Sequence, residues 1–355
     1  MTRLPSILIS LTLSLTVAGA SAAALFPPHL GHTEVRQADG GITTVFYPTL
    51  AAESAVVRGP FQLSWAENTT PAEGNRHLVV ISHGSGGSPW VHTDLARTLV
   101  EHGFMVALPQ HRGDNYQDPT HPGPESWVQR PREVSHSIDL VASLPALASQ
   151  LDLDAVGIVG GSAGGHTALS LAGGEWSFRR FRDYCERNIA HDFSSCVGFT
   201  TLLDGSALDG LKIWAAKQII AWRFADSNIQ KYTDPRIKVA VAMVPFAADF
   251  DLDSLAYPRI PLGLVIAAKD INQIPAYHVE NVHRACAAHC SVIDTLAEGG
   301  HAIMLSPLPP LAPGSIAHHL LSDPPTFNRA VEIPMLNQHI TGYLKQTLQI
   351  KGDVR

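Results

Sequence analysis

Residues 155–170 read AVGIVGGSAGGHTALS: a mostly apolar run leads into Gly160-Gly161-Ser162-Ala163-Gly164 and then into a small, alanine-rich segment. A strand buried on both faces is apolar throughout, and a helix packed on it must be small, so the stretch predicts strand, sharp turn and helix. Such a turn lifts Ser162 out of the fold in a strained conformation. Glycine-sized neighbours at Gly160 and Gly164 leave room for strand and helix to approach. A serine hydroxyl is a poor nucleophile at its own pKa, so it needs a base beside it and donors for the oxyanion it creates. The same G-x-S-x-G pattern also arises by chance where a serine merely caps a helix, and the partners decide between the two.

Both partners follow in the order nucleophile, acid, histidine. Residues 261–268, PLGLVIAA, are a second buried-strand pattern, and Asp270 stands at its carboxyl end. A carboxylate there can accept an imidazole N–H and hold the base in the correct tautomer. Asp249, beyond the strand-like residues 239–244, is the reserve; Asp270 is preferred because open α/β sheets place functional groups immediately past a strand's carboxyl end. A further strand over residues 291–296 is followed by Glu298-Gly299-Gly300-His301-Ala302, a glycine-flexed loop presenting one histidine. Among 18 histidines His301 is singled out by position, after the last predicted strand and before the C-terminal helix.

An oxyanion needs backbone N–H donors where charge develops. The early strand HLVVIS, residues 77–82, runs into His83-Gly84-Ser85-Gly86-Gly87. The Ala163 N–H, just after the nucleophile, and the Ser85 N–H are the expected pair. His83 is read as a brace of this loop rather than a proton carrier.

With these residues in view, the blocks HLVVISHGSGG, FMVALPQHRGDN, VGIVGGSAGGHTAL, DPRIKVAVAMVP, VIAAKDINQIP and AEGGHAIML resemble, in order over roughly residues 79–305, the dienelactone-hydrolase-like α/β-hydrolases, including the branch similar to platelet-activating-factor acetylhydrolases. The resemblance implies an α/β-hydrolase fold, a triad of Ser162, Asp270 and His301, and oxyanion donors at Ser85 and Ala163. Dienelactone hydrolases proper carry a cysteine nucleophile where this chain has Ser162. The acetylhydrolases usually carry their acid after the earlier strand, which favours Asp249.

Residues 1–24 have one early positive charge at Arg3, an apolar run and a small-residue end, the pattern of a cleavable secretory signal peptide with cleavage after Ala22 or Ala24. The run is shorter than the roughly 20 apolar residues of a membrane span, so no stable membrane anchor is expected. A periplasmic or secreted destination gives meaning to the four cysteines. Three connectivities are possible; the expectation is local pairing, Cys185 with Cys196 and Cys286 with Cys290. Two cysteines and a histidine within residues 286–290 do not match paired zinc-site spacings, and no metal or cofactor is expected.

A net charge of -7, with no basic run, argues against nucleic acid. Strand and helix patterns alternate, with an opening hairpin over residues 33–37 and 41–47, a long helix near residues 132–149 and a final one near 333–348. The reading is an α/β fold, a mostly parallel sheet with helices on both faces, in one catalytic domain over residues 25–355. Residues 173–232 interrupt the rhythm with aromatic and apolar side chains; the expectation is a helical cap over Ser162 lining an acyl or alkyl pocket. The proline-rich residues 306–325 read as an extended surface loop. The expected activity is hydrolysis of small-molecule carboxylic esters or lactones through an acyl-enzyme. Alternatives are a peptidase or amidase with the same triad, separated by paired ester and anilide substrates, and a catalytically silent binding protein. Oligomeric state is left open.

Overall fold

The apolar runs form the centre of a ten-stranded sheet. The computed structural model describes residues 28–36 and 41–349; the leader expected over residues 1–24 and the turn at residues 37–40 lie outside them. The chain opens with β1 (His29–Arg36), β2 (Ile42–Thr49), β3 (Ser54–Arg58) and β4 (Phe61–Glu67), followed by β5 (Leu78–Ser82), α1 (Thr93–Glu101), β6 (Met105–Pro109), α2 (Pro124–Ala142), α3 (Pro145–Ala148), β7 (Val156–Gly161) and α4 (Ala163–Leu171). Next come β8 (Glu175–Trp176), α5 (Phe178–Asn188), α6 (Phe193–Val197), α7 (Asp209–Arg223), β9 (Ile237–Met243), β10 (Phe250–Asp251), β11 (Leu262–Ala267), α8 (Val279–Cys286), β12 (Ser291–Leu296), α9 (Ile316–Leu321) and α10 (Arg329–Thr347).

The sheet order is β12-β11-β9-β7-β5-β6-β2-β1-β4-β3. From β12 to β6 every neighbour is parallel, and β2 joins β6 antiparallel. Alternate side chains of a strand face opposite sides, and each side has its own core. Val80, Ile158, Ala240 and Leu264 join one cluster with α2 and α4, while Val79, Val159, Val241 and Val265 join the other with α1 and α10. Burying each of these valine, isoleucine and leucine side chains contributes about 1.5–3 kcal/mol. Burial on both faces is why these strands read as unbroken apolar runs.

Three elements differ from expectation. Helix α2 begins at Pro124, eight residues early and at the position where proline's missing N–H is harmless. It runs through Pro131 because Trp127, Val134, Ile138 and Val141 bury one continuous face. The loop expected over residues 306–325 contains α9, capped by Ser315, whose hydroxyl accepts from the His318 N–H. Beyond the opening hairpin of β1 and β2 lies a second, β3 and β4, whose first strand is largely exposed and carries little apolar pattern.

The expected local disulfides are both present, Cys185–Cys196 joining α5 to α6 and Cys286–Cys290 closing the end of α8. Among the described residues, no helix is long and apolar enough to cross a membrane.

Candidate active site

Strand β7 ends and α4 begins at Ser162, whose backbone sits at φ 54°, ψ −117°. A left-handed conformation costs a non-glycine residue roughly 1–3 kcal/mol, so the surroundings must hold it there. They do so through the Ser162 N–H, which donates to Met243 O at 3.1 Å, and the Ser162 carbonyl, which accepts from Phe246 N at 3.3 Å. The glycines are needed for space. A Cβ on Gly160 would lie 1.9 Å from Gly164 O, and one on Gly164 would lie 1.9 Å from Ser82 O.

Asp270 and His301 come together from loops at the ends of adjacent strands, β11 and β12. The Lys269 N–H donates to Gly299 O at 2.9 Å and joins the two loops. Asp270 Oδ2 accepts from His301 Nδ1 at 2.7 Å, and Oδ1 accepts from Asn272 N and Gln273 N, each at 2.8 Å. Both side chains are buried. With Nδ1–H engaged, the other ring nitrogen, Nε2, is left as the basic one.

The turn His301–Met304 packs onto the elbow: a Cβ on Gly161 would meet Met304 Sδ at 2.7 Å. Arg329 fastens this turn from α10, donating to Leu305 O at 2.6 Å and Ala302 O at 2.8 Å while paired with Asp323. Ser162 Oγ makes no hydrogen bond among the described residues, so the step from serine to histidine is not closed in this state. Such contacts are often long before substrate binds.

Asp249 is elsewhere. Its Oδ2 lies 3.2 Å from His166 Nε2, both groups fully buried amid Trp127, Trp176 and Phe250. His166 sits one turn of α4 beyond Ser162, so this pair fixes the helix that follows the elbow.

The loop after β5 supplies the other side of the site. A Cβ on Gly84 would lie 3.4 Å from Ser162 Cβ, so this loop abuts the serine. The Ala163 N–H is the first of α4, where the helix has no carbonyl for it. His83 braces the loop: Nε2 accepts from His111 N at 3.2 Å, which leaves Nδ1 as the donor to Gly84 O at 2.7 Å. Burial, with the neighbouring His111 and Arg130, pushes its pKa well below the ordinary value and keeps it neutral.

Behind it runs a second serine–histidine–carboxylate chain. His111 joins Ser82 Oγ at 2.7 Å to Glu133 Oε2 at 2.6 Å. Ser82 and His111 are both 0% exposed, so no substrate reaches this chain. Sequence reasoning missed these residues and also Asp114, Ser126 and Arg130. The available signal was a charged residue, Arg130, among the buried positions of α2.

The aromatic residues expected to line an acyl pocket divide into two sets. Trp176, Phe181 and Tyr184 are buried, with Phe181 edge-on to Trp127 and Phe224. Helix α7 instead turns Leu211, Trp214, Ile219 and Trp222 to solvent. The insertion is tied to the loop of Asp270 through α6, where Ser195 Oγ donates to Asn272 O at 2.9 Å.

No protein-family model and no curated protein matches this chain. Among solved structures it is similar to a ferulic acid esterase from Streptomyces cinnamoneus, with a TM-score of 0.56 over 95% of this chain and 94% of that one, at 14% identity. The sheet order and this likeness give the chain the α/β-hydrolase fold.

Proposed function

We propose that the protein is a serine hydrolase of carboxylic esters or lactones. The observation that carries this reading is the strained Ser162 at a strand-to-helix turn, with the buried Asp270–His301 pair at the start of the turn whose Met304 packs on the elbow. In this mechanism Ser162 Oγ attacks the substrate carbonyl carbon while His301 Nε2 takes its proton and Asp270 holds Nδ1. The oxyanion forms against the N–H groups of Ser85 and Ala163. The tetrahedral species collapses as His301 returns the proton to the leaving alcohol, and water, activated by the same imidazole, then releases the acid.

The esterase fold neighbour supports an ester as the first substrate to try. Within the superfamily, the sequence blocks favour the dienelactone-hydrolase-like group, with the acid in the later position at Asp270 rather than at Asp249. Residues 173–232 are proposed to act as a cap that governs acyl length. The two disulfides favour an oxidising, periplasmic or extracellular destination.

The test is turnover of p-nitrophenyl esters of graded acyl length, beside a matched p-nitroanilide, by wild type and Ser162→Ala. Ester turnover that falls by at least about 10³-fold in the variant is expected. Full activity in Ser162→Ala overturns the mechanism, faster anilide cleavage makes the enzyme an amidase, and no turnover with any substrate leaves a binding protein.

A further inference from the structure

The Gly84–Ser85 peptide is held by its carbonyl, which accepts from His83 Nδ1 at 2.7 Å and from Gly87 N at 3.1 Å. In a trans peptide the N–H points opposite to the C=O, so these two bonds turn the Ser85 N–H the other way. That N–H has no hydrogen-bond partner among the described residues. On its far side Asp114 Oδ1 accepts from Ser85 Oγ at 2.6 Å and from Gly86 N at 3.0 Å. Asp114 Oδ2 accepts from Ser126 Oγ at 2.9 Å and from Arg130 Nη2 at 2.8 Å, and Arg130 Nη1 donates to His83 O at 2.5 Å. One ion pair therefore grips the loop on both sides of the unpaired N–H.

The loop is glycine-rich and has little stiffness of its own. Asp114 and Arg130 are 0% exposed. A buried ion pair is weak evidence for stability, since apolar residues of similar volume often do as well, which directs attention to the geometry it imposes. Four donors converge on one carboxylate and saturate it. Burial raises the Asp114 pKa, but the Arg130 guanidinium and the hydrogen bonds from Ser85, Arg130 and Ser126 outweigh it and keep the group ionised.

We propose that Asp114, paired with Arg130, is a positioning residue that aims the Ser85 N–H at the developing oxyanion. This rests on the ester-hydrolase reading above. Asp114 touches no substrate; it acts through the peptide it holds. Neutralising it would leave Arg130 without its counter-charge and turn a donor toward one of four donors, loosening the loop without removing the N–H.

The experiment compares wild type, Ser85→Ala and Asp114→Asn as full-length purified proteins. Active sites are titrated with a fluorophosphonate, so that kcat is expressed per competent Ser162. The affinity of an arylboronic acid, which mimics the tetrahedral intermediate on the serine, is measured alongside KM. Ser85→Ala keeps the N–H and removes one tether; its kcat should fall about tenfold, and Asp114→Asn should lose about 10²-fold. Boronate affinity should weaken in parallel while KM moves less than about twofold, a split that a merely structural role would not produce. Unchanged kcat per titrated site and unchanged boronate affinity in both variants overturn the proposal. If Asp114→Asn does not fold, Ser85→Ala decides alone, because it alters only a partly exposed loop hydroxyl. If the wild type neither turns over esters nor is labelled at Ser162, the hydrolase reading fails and the positioning role falls with it; active wild type with unaffected variants removes the positioning role only.

Discussion

Asp249 and His166, 83 residues apart, form a fully buried pair one helical turn beyond Ser162, with Oδ2 3.2 Å from Nε2. The carboxylate held in reserve for the acid role is thus engaged with α4, the helix that follows Ser162. Asp270 stands 2.7 Å from His301. We expect Asp270→Asn to lower kcat by about 10⁴-fold with folding intact, because the imidazole loses the acceptor that fixes its tautomer. Asp249→Asn should destabilise by about 1–3 kcal/mol and leave kcat per folded molecule within severalfold of wild type. Steady-state kinetics beside thermal melts separate the two, and the reverse pattern would transfer the acid role to Asp249.

The elbow makes a sharper demand on its glycines. Gly160→Ala and Gly164→Ala each place a methyl group 1.9 Å from a backbone oxygen, which no side-chain rearrangement can relieve. Each is expected to cost more than about 3 kcal/mol or to prevent folding. Gly210 in α7 has open space at its Cβ position, so Gly210→Ala should be neutral or stabilising by up to about 1 kcal/mol. Chemical denaturation of the three variants checks the contrast.

The central strands, the elbow and the loop beyond β11 were legible because burial on both faces leaves an unmistakable apolar run, and a polar residue just past such a run has few places to go; the loop beyond β12, a half-exposed edge strand, showed instead through the two glycines before His301. Asp270 and Asp249 both follow strands, and that the first meets His301 and the second His166 depends on contacts between residues 31 and 83 positions apart, which no local pattern reveals. Asp114 was opaque for a related reason: its loop partner Gly86 lies 28 residues away, and Arg130, a charge among the buried positions of α2, signals an ion pair without showing that it holds a loop 47 residues off. The early start of α2 was hidden by Pro131, which a local reading takes as a helix boundary although the buried face continues through it. Half-exposed β3 had too little contrast to read.

The Cys185–Cys196 bridge should matter more than its neighbour. It closes an 11-residue separation against 4 for Cys286–Cys290, so chain entropy assigns about 3 and about 2 kcal/mol respectively. It also steadies α6, whose Ser195 holds Asn272 beside the backbone donors to Asp270. The double variant Cys185→Ala/Cys196→Ala should therefore lose kcat as well as stability, whereas Cys286→Ala/Cys290→Ala should lose mainly stability. Equal kcat in the two double variants would show that the insertion does not steady the acid loop.

Acid sensitivity should begin at an unusually high pH, because four buried histidines among the described residues, His32, His83, His92 and His111, have their pKa lowered. Burial is the leading cause in each: it pushes His83 and His111 well below their ordinary value and His92, where the Met304 backbone offsets it only in part, down to about 4. In the unfolded chain these groups take up protons near pH 6.5. Below that pH the unfolded state binds protons that the folded state refuses, so the stability is complete above about 6.5 and is lost as pH falls through the folded values. The carboxylates act later. Burial alone would raise Glu53, but hydrogen bonds from Arg97, the Leu30 N–H and Ser64 bring it to about 2, so its contribution is full above about 4.5 and disappears only toward pH 2. Calorimetric melts should show a midpoint that is level above pH 7 and falls steadily between pH 6.5 and 4, before Glu53 titrates. His92→Leu should flatten part of that slope, and a midpoint independent of pH across this window would show that the buried rings gain protons in the folded state.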